Sequence, residues 1–163
     1  MKKILKRIVV FCLVITMTLG ISVSAYAETI PPELGKVVDG SVLTDDSSSE
    51  KTLYNPARGN ILNRGIARIS NNGNGNVNAY GSAIGAVVCD KMELTIVLQR
   101  YNGTKWVDVT SKSYSASNIG VFSKSFNTTV TKGYYYRVRV ACVATDAGVV
   151  ESQIPVTEGV WIS

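Results

Sequence analysis

Beyond residue 54 the chain alternates apolar and polar positions with a period of two. "MELTIVLQRY" (92–101) is the clearest case, with Met92, Leu94, Ile96 and Leu98 on one face and Glu93, Thr95, Gln99 and Tyr101 on the other. Asn102-Gly103 follows, a pair suited to a type I′ hairpin turn because both central residues need positive φ. "KWVDVTSKSY" (105–114) is then the expected return strand. "VFSKSFNTTV" (121–130) alternates more loosely, Lys132-Gly133 turns the chain, and "YYYRVRVACVAT" (134–145) carries the strongest strand pattern. Upstream, "GIARIS" (65–70) is a weak strand ended by the turn-rich "NNGNGN" (71–76). "VNAYGSAIGAVVC" (77–89) is either one bent strand or two short ones, and residues 148–163 close with two short strands. No segment of ten or more residues here has a helical period. The pattern predicts an all-β domain over residues 54–163, an antiparallel β-sandwich.

The first 27 residues have a different pattern. Lys2, Lys3, Lys6 and Arg7 precede an uncharged apolar run, and Ala25-Tyr26-Ala27 forms a small-x-small cleavage site, with Ala25 and Ala27 as the small residues. The segment reads as a secretory signal. The competing reading is an uncleaved anchor, because apolar character continues through Ile21 and Val23; Gly20 and the cleavage site favour removal. No later stretch is apolar enough to span a bilayer, so the protein is expected to be secreted, with no membrane contact after cleavage. Residues 28–53 contain Pro31-Pro32, Ser47-Ser48-Ser49 and few large apolar side chains, and read as a flexible acidic leader.

Export changes the meaning of the charge. Four of the 17 Lys and Arg leave with the signal while all 12 Asp and Glu stay, so the net charge falls from +5 to +1. Nucleic acid is therefore not an expected partner. What remains is uneven: six acids against two bases in residues 28–53, then 11 bases against six acids.

The chemistry is limited by the absence of histidine, which excludes Ser-His-Asp and Cys-His nucleophile activation and histidine metal sites. No cofactor or metal is expected. Paired carboxylates are the remaining route to hydrolysis, with Asp90 and Glu93, or Asp108 and Asp146, as candidates. Of the three cysteines, Cys12 lies in the signal. Cys89 and Cys142 are then either a disulfide, the favoured reading for an exported pair, or two buried thiols. In "KGYYYRVRVAC" (132–142), a period of two puts Tyr134, Tyr136, Val138, Val140 and Cys142 on a core face. Tyr135, Arg137 and Arg139 fall on the other face, a candidate binding surface unless their charges pair with Glu93 or Asp108 across strands. Trp106 and Trp161 are expected in the core.

Two resemblances follow. The order Cys89, Trp106, Cys142 resembles immunoglobulin-like domains in the broad sense, although Val140 stands where such domains place a tyrosine. "ILNRGIARIS" (61–70), "CDKMELTIVLQRY" (89–101), Trp106, "KGYYYRVRV" (132–140) and "ESQIPVTEGVWIS" (151–163), behind a signal peptide, resemble a family of small secreted proteins of unknown function from spore-forming Gram-positive bacteria. That resemblance implies export and a β-rich fold, and carries no site residues. The expected function is a non-enzymatic binding module of the cell envelope, with an anionic wall polymer or another extracellular protein as partner. The alternatives are a secreted inhibitor or effector that docks on a protein and, more remotely, a small hydrolase.

Overall fold

The computed structural model describes residues 30–55 and 61–163; the expected signal and its expected Ala25/Ala27 cleavage site lie outside them. Among the described residues every regular element is a strand: β1 (Val37–Val38), β2 (Ser41–Thr44), β3 (Ser48–Tyr54), β4 (Leu62–Asn71), β5 (Asn76–Tyr101), β6 (Trp106–Thr129), β7 (Tyr134–Asp146), β8 (Val149–Gln153) and β9 (Gly159–Ile162). The all-β expectation holds. In place of two antiparallel sheets, the strands build one continuous sheet ordered β1-β2-β9-β7-β5-β4-β3. It is mixed, because β2 and β9 run parallel through Leu43–Gly159 and Thr44–Val160.

β5 is the axis of this sheet. β6 pairs along one edge of it from end to end. The other edge is shared: β4 takes residues 77–85 and β7 takes residues 91–100. The stretch read as one bent strand or two short ones is thus the first half of a single strand. Likewise the segments at 105–114 and 121–130 merge into β6, with a register irregularity facing residues 84–89.

β5 and β6 bend together where their pairing is interrupted, between residues 84 and 89. The sheet curls there into a half-barrel, and its concave side holds the main core. Met92, Leu94, Ile96 and Leu98 line it as the alternation predicts, with Val138, Val140 and Cys142 from β7, Phe122 and Phe126 from β6, and Ile69, Val77 and Ala79. Gly81 lets β5 pass close to its own second half: a Cβ there would meet Val140 Cγ1 at 2.8 Å and Ile96 Cγ1 at 3.0 Å.

Two expectations about loops and leader need correction. The Asn102-Gly103 turn closes the β5–β6 hairpin, but only Gly103 has positive φ, at 94°. Asn102 instead accepts hydrogen bonds on its side-chain oxygen from the amides of Thr104 and Lys105, so the turn is four residues long and not type I′. The flexible leader is largely structured, since β1, β2 and most of β3 lie within residues 28–53. Apolar content there is low, yet β2 and β3 find partners in β9 and β4, and β1 pairs with β2.

The Cys89–Cys142 bridge is also absent; both thiols are free and buried. Cys142 is in register with Leu94 on β5. Cys89 stands five positions earlier on that strand, roughly 16 Å away at 3.3 Å per residue. Bridging needs Cα atoms within about 7 Å. Cys142 donates weakly to the Ser82 carbonyl at 3.4 Å, and burial pushes its thiol up to about 12. Burial also raises Cys89, with Asp146 adding to the effect. Alkylation without reductant, read by peptide mapping, should label Cys89 and Cys142 only after unfolding; a linked peptide pair that needs reductant would contradict the structure.

Candidate functional site

The second face of β7 is covered. Tyr135 is 2% exposed and Arg137 4%, so neither belongs to an open binding surface; Arg139 alone of the three stays on the surface. The cover is the β1–β2 hairpin. Asp39 (φ 49°) and Gly40 (φ 77°) form its tight turn, the positive-φ pair that a two-residue hairpin requires.

Arg137 pins this hairpin to the sheet. Its Nη2 donates to Asp39 Oδ2 at 2.9 Å, its Nη1 to the Asp39 carbonyl at 3.1 Å and to Ser41 Oγ at 2.9 Å, and its Nε to Gln99 Oε1 at 2.8 Å. Its guanidinium also lies 4.4 Å from the Trp106 ring centroid. Burial pulls the Arg137 pKa down, while Asp39 works in the opposite direction. The network continues outward. Gln99 Nε2 donates to Asp108 at 2.8 Å, and Ser41 donates to the Thr157 carbonyl at 2.8 Å. The expected pairing with Glu93 or Asp108 is replaced by Asp39 directly and by Asp108 through Gln99.

Apolar contacts reinforce the pin. Leu43, Tyr101 and Tyr135 form a second buried cluster with Val38, Trp106 and Trp161 packed against it. Trp106 Nε1 donates to the Val38 carbonyl at 3.1 Å. Gly159 sits under this ring, where a Cβ would fall 2.8 Å from Trp106 Cη2 and 2.9 Å from Leu43 Cδ2. Trp106 therefore packs on the leader, not on a disulfide.

Beside this cluster lies a pocket of about 280 Å³, lined among others by Pro32, Glu33, Tyr101, Tyr134, Tyr135 and Trp161. Its walls are braced rings. Tyr135 and Trp161 meet edge-on with centroids 4.9 Å apart, and Arg100 stacks over Tyr134 at 4.6 Å. Tyr134, expected in the core, is instead 38% exposed as the first residue of β7. The Tyr101 hydroxyl donates to the Gly103 carbonyl at 2.7 Å and accepts from Lys36, whose ammonium also binds Glu33 at 2.6 Å. The Tyr135 hydroxyl is buried and has no hydrogen-bond partner among the described residues. Such a group costs about 1–3 kcal/mol relative to one that is satisfied. Desolvation raises its pKa, and Asp45 and Glu33 raise it further.

The carboxylate pairs do not converge. Asp90 accepts from the Ala147 amide and Glu93 pairs with Lys91. Asp108 is in register with Gln99, whereas Asp146 lies beyond the Lys91–Thr145 pair at the other end of β5, roughly 30 Å away at 3.3 Å per residue. Among the described residues no group of three or more Cys, Asp or Glu side chains is placed to hold a metal ion.

Residues 23–159 match the model of a family described as a family of unknown function (DUF6147). The chain belongs to this family. The match agrees with the resemblance to a family without an assigned activity, and places nearly the whole described sheet inside the family's bounds. No curated protein and no solved structure matches the chain. For DUF6147, then, the arrangement of this chain's own side chains is what bears on function.

Substitution should separate the two arginines. Arg137→Ala removes the buried cation, leaves Gln99 and Ser41 short of a donor and is expected to cost about 2–4 kcal/mol in denaturant unfolding. Arg139→Ala should stay within about 0.5 kcal/mol. Equal midpoints for the two variants would contradict the pin.

Proposed function

We infer that this protein is an exported, non-enzymatic binding module of the cell envelope, and that the aromatic pocket is where its ligand sits. The observation that carries this reading is a concavity of about 280 Å³ walled by the rings of Tyr101, Tyr134, Tyr135 and Trp161, with Glu33 among its lining residues. A few polar groups in an otherwise apolar concavity are the usual make-up of a binding site. The signal-like N-terminus supports export, and an envelope polymer or an extracellular protein is the partner.

This reading relocates the binding residues first expected on β7. Tyr135 contributes from inside the pocket wall, Arg137 acts by holding the hairpin that carries Pro32 and Glu33 towards the pocket, and Arg139 lies outside it. An anionic wall polymer is a candidate partner through the basic excess of residues 54–163, an attraction that weakens as salt rises. The purified protein should co-sediment with isolated Gram-positive cell walls. Tyr134→Ala should lower the bound fraction at least fivefold with its unfolding midpoint little changed, and retention equal to the parent's would remove the pocket from the account.

A second reading has its own observation. Strand β6 pairs only with β5, so its outer edge over Trp106–Thr129 is open among the described residues. An extended segment of a partner can add to such an edge, as an inhibitor or effector docking on another protein would require. A stoichiometric protein recovered from culture medium, whose capture survives Tyr134→Ala but not proline substitution along β6, would favour it.

A further inference from the structure

Three Asn-Gly pairs stand in the chain: Asn72-Gly73, Asn74-Gly75 and Asn102-Gly103. Such a pair can react with itself, because glycine has no side chain to keep its amide away from the neighbouring asparagine Cγ. The glycine nitrogen gives up its proton and attacks that carbon, and the side-chain nitrogen takes up a proton and leaves as ammonia. Water then opens the cyclic imide. Opening at one carbonyl yields aspartate, and at the other isoaspartate, in which the main chain runs through Cγ. Water is the only co-reactant.

All three asparagines are exposed, but the fold restrains them differently. The Asn102 side chain is held through Oδ1, which accepts from the Thr104 amide at 3.0 Å, the Thr104 hydroxyl at 2.9 Å and the Lys105 amide at 2.9 Å. At Asn72 the nucleophile is engaged. The Gly73 amide donates to Asn71 Oδ1 at 2.9 Å, and Asn72 Nδ2 donates to Asn76 Oδ1 at 3.3 Å. Asn74 carries neither restraint: among the described residues its side chain makes no hydrogen bond, and the Gly75 amide meets no acceptor. Gly75 packs under Val130 and Lys132, yet no hydrogen bond has to break at its nitrogen. The turn is also held in left-handed backbone, with φ of 80° at Gly73, 53° at Asn74 and 71° at Gly75. A residue with a Cβ adopts that conformation at a cost, which favours opening of the tip.

We propose that Asn74 is a site of spontaneous conversion to aspartate and isoaspartate in the folded protein, ahead of Asn72 and Asn102. The new carboxylate arises on the β4–β5 turn beside Gly75, against which the Lys132 side chain rests. Lys132 precedes Gly133 of the pocket lining, so a neutral turn near the edge of the pocket becomes acidic as the protein ages.

The test incubates the purified protein, folded and in denaturant, at mildly alkaline pH, and maps peptides over time by fragmentation that separates aspartate from isoaspartate. In the folded protein the tryptic peptide Ile69–Lys91 should gain the mass of an NH-to-O exchange, located at residue 74 and present as both products. Conversion there should run at least about tenfold faster than at Asn102, where hydrogen bonds must break first. In denaturant the three rates should converge. Asn74→Gln should remove the fast conversion and leave the slow ones. Faster conversion at Asn72 or Asn102 in the folded protein would overturn the assignment. So would the same ratio of rates in folded and unfolded chains, or an Asn74 that persists over times in which unfolded Asn102 converts.

Discussion

One guanidinium group joins the β1–β2 hairpin to strands β5 and β7. Arg137 projects from near the start of β7 and reaches the Asp39 turn, Ser41 and Gln99 at once. The side chain is buried, while its ionic partner Asp39 remains 78% exposed. That asymmetry decides where the energy lies. A carboxylate left in water contributes little as an ion pair, so the hold on the hairpin comes mainly from the fork of hydrogen bonds and from stacking on Trp106. Lysine would keep the charge and lose the fork. The hairpin in turn covers Tyr135 and the inner side of Trp161, and delivers Glu33 to the pocket. Without the pin, the second apolar cluster would be open to water and the pocket would lose a wall.

Much of the sheet was legible because a single buried face imposes a period of two. Met92 to Leu98 and Val138 to Cys142 lie where the alternation puts them. The turns at 71–76, 102–105 and 132–133 fall between strands as their Gly and Asn residues indicate. What was not legible depends on the second face. Tyr135 and Arg137 look like a solvent side from β7 alone, since alternation cannot say whether another element covers it. The signal for that element was present: Asp39-Gly40 between Val37-Val38 and Val42-Leu43 is a short hairpin pattern. Low apolar content and an acidic balance across residues 28–53 obscured it, because composition averages over a segment whereas strand pairing needs only a few residues in register.

The candidate site was less legible still. Its rings come from β5, β7 and β9, and its carboxylate from the leader. No local spacing joins these positions. The β7 alternation makes Tyr135 an exposed ring beside two cations, whereas it is buried and forms part of the pocket wall. The disulfide reading failed through the same kind of distance: a count of cysteines says nothing about register, and register separates Cys89 from Cys142 along β5.

The parallel pairing of β2 with β9 also sets a time order. Ser41 bonds to Thr157 across 116 positions, and the partners of Leu43 and Thr44 lie in the last strand of the chain. Contacts of such long range form slowly, because the intervening chain must be closed first. As the polypeptide emerges from its N-terminus, β2 has no parallel partner until β9 is free. The antiparallel pairs between them can form earlier, so the edge that joins the first strands to β9 closes late. Because Trp161 of β9 is also a pocket wall, that closure and the pocket arise together.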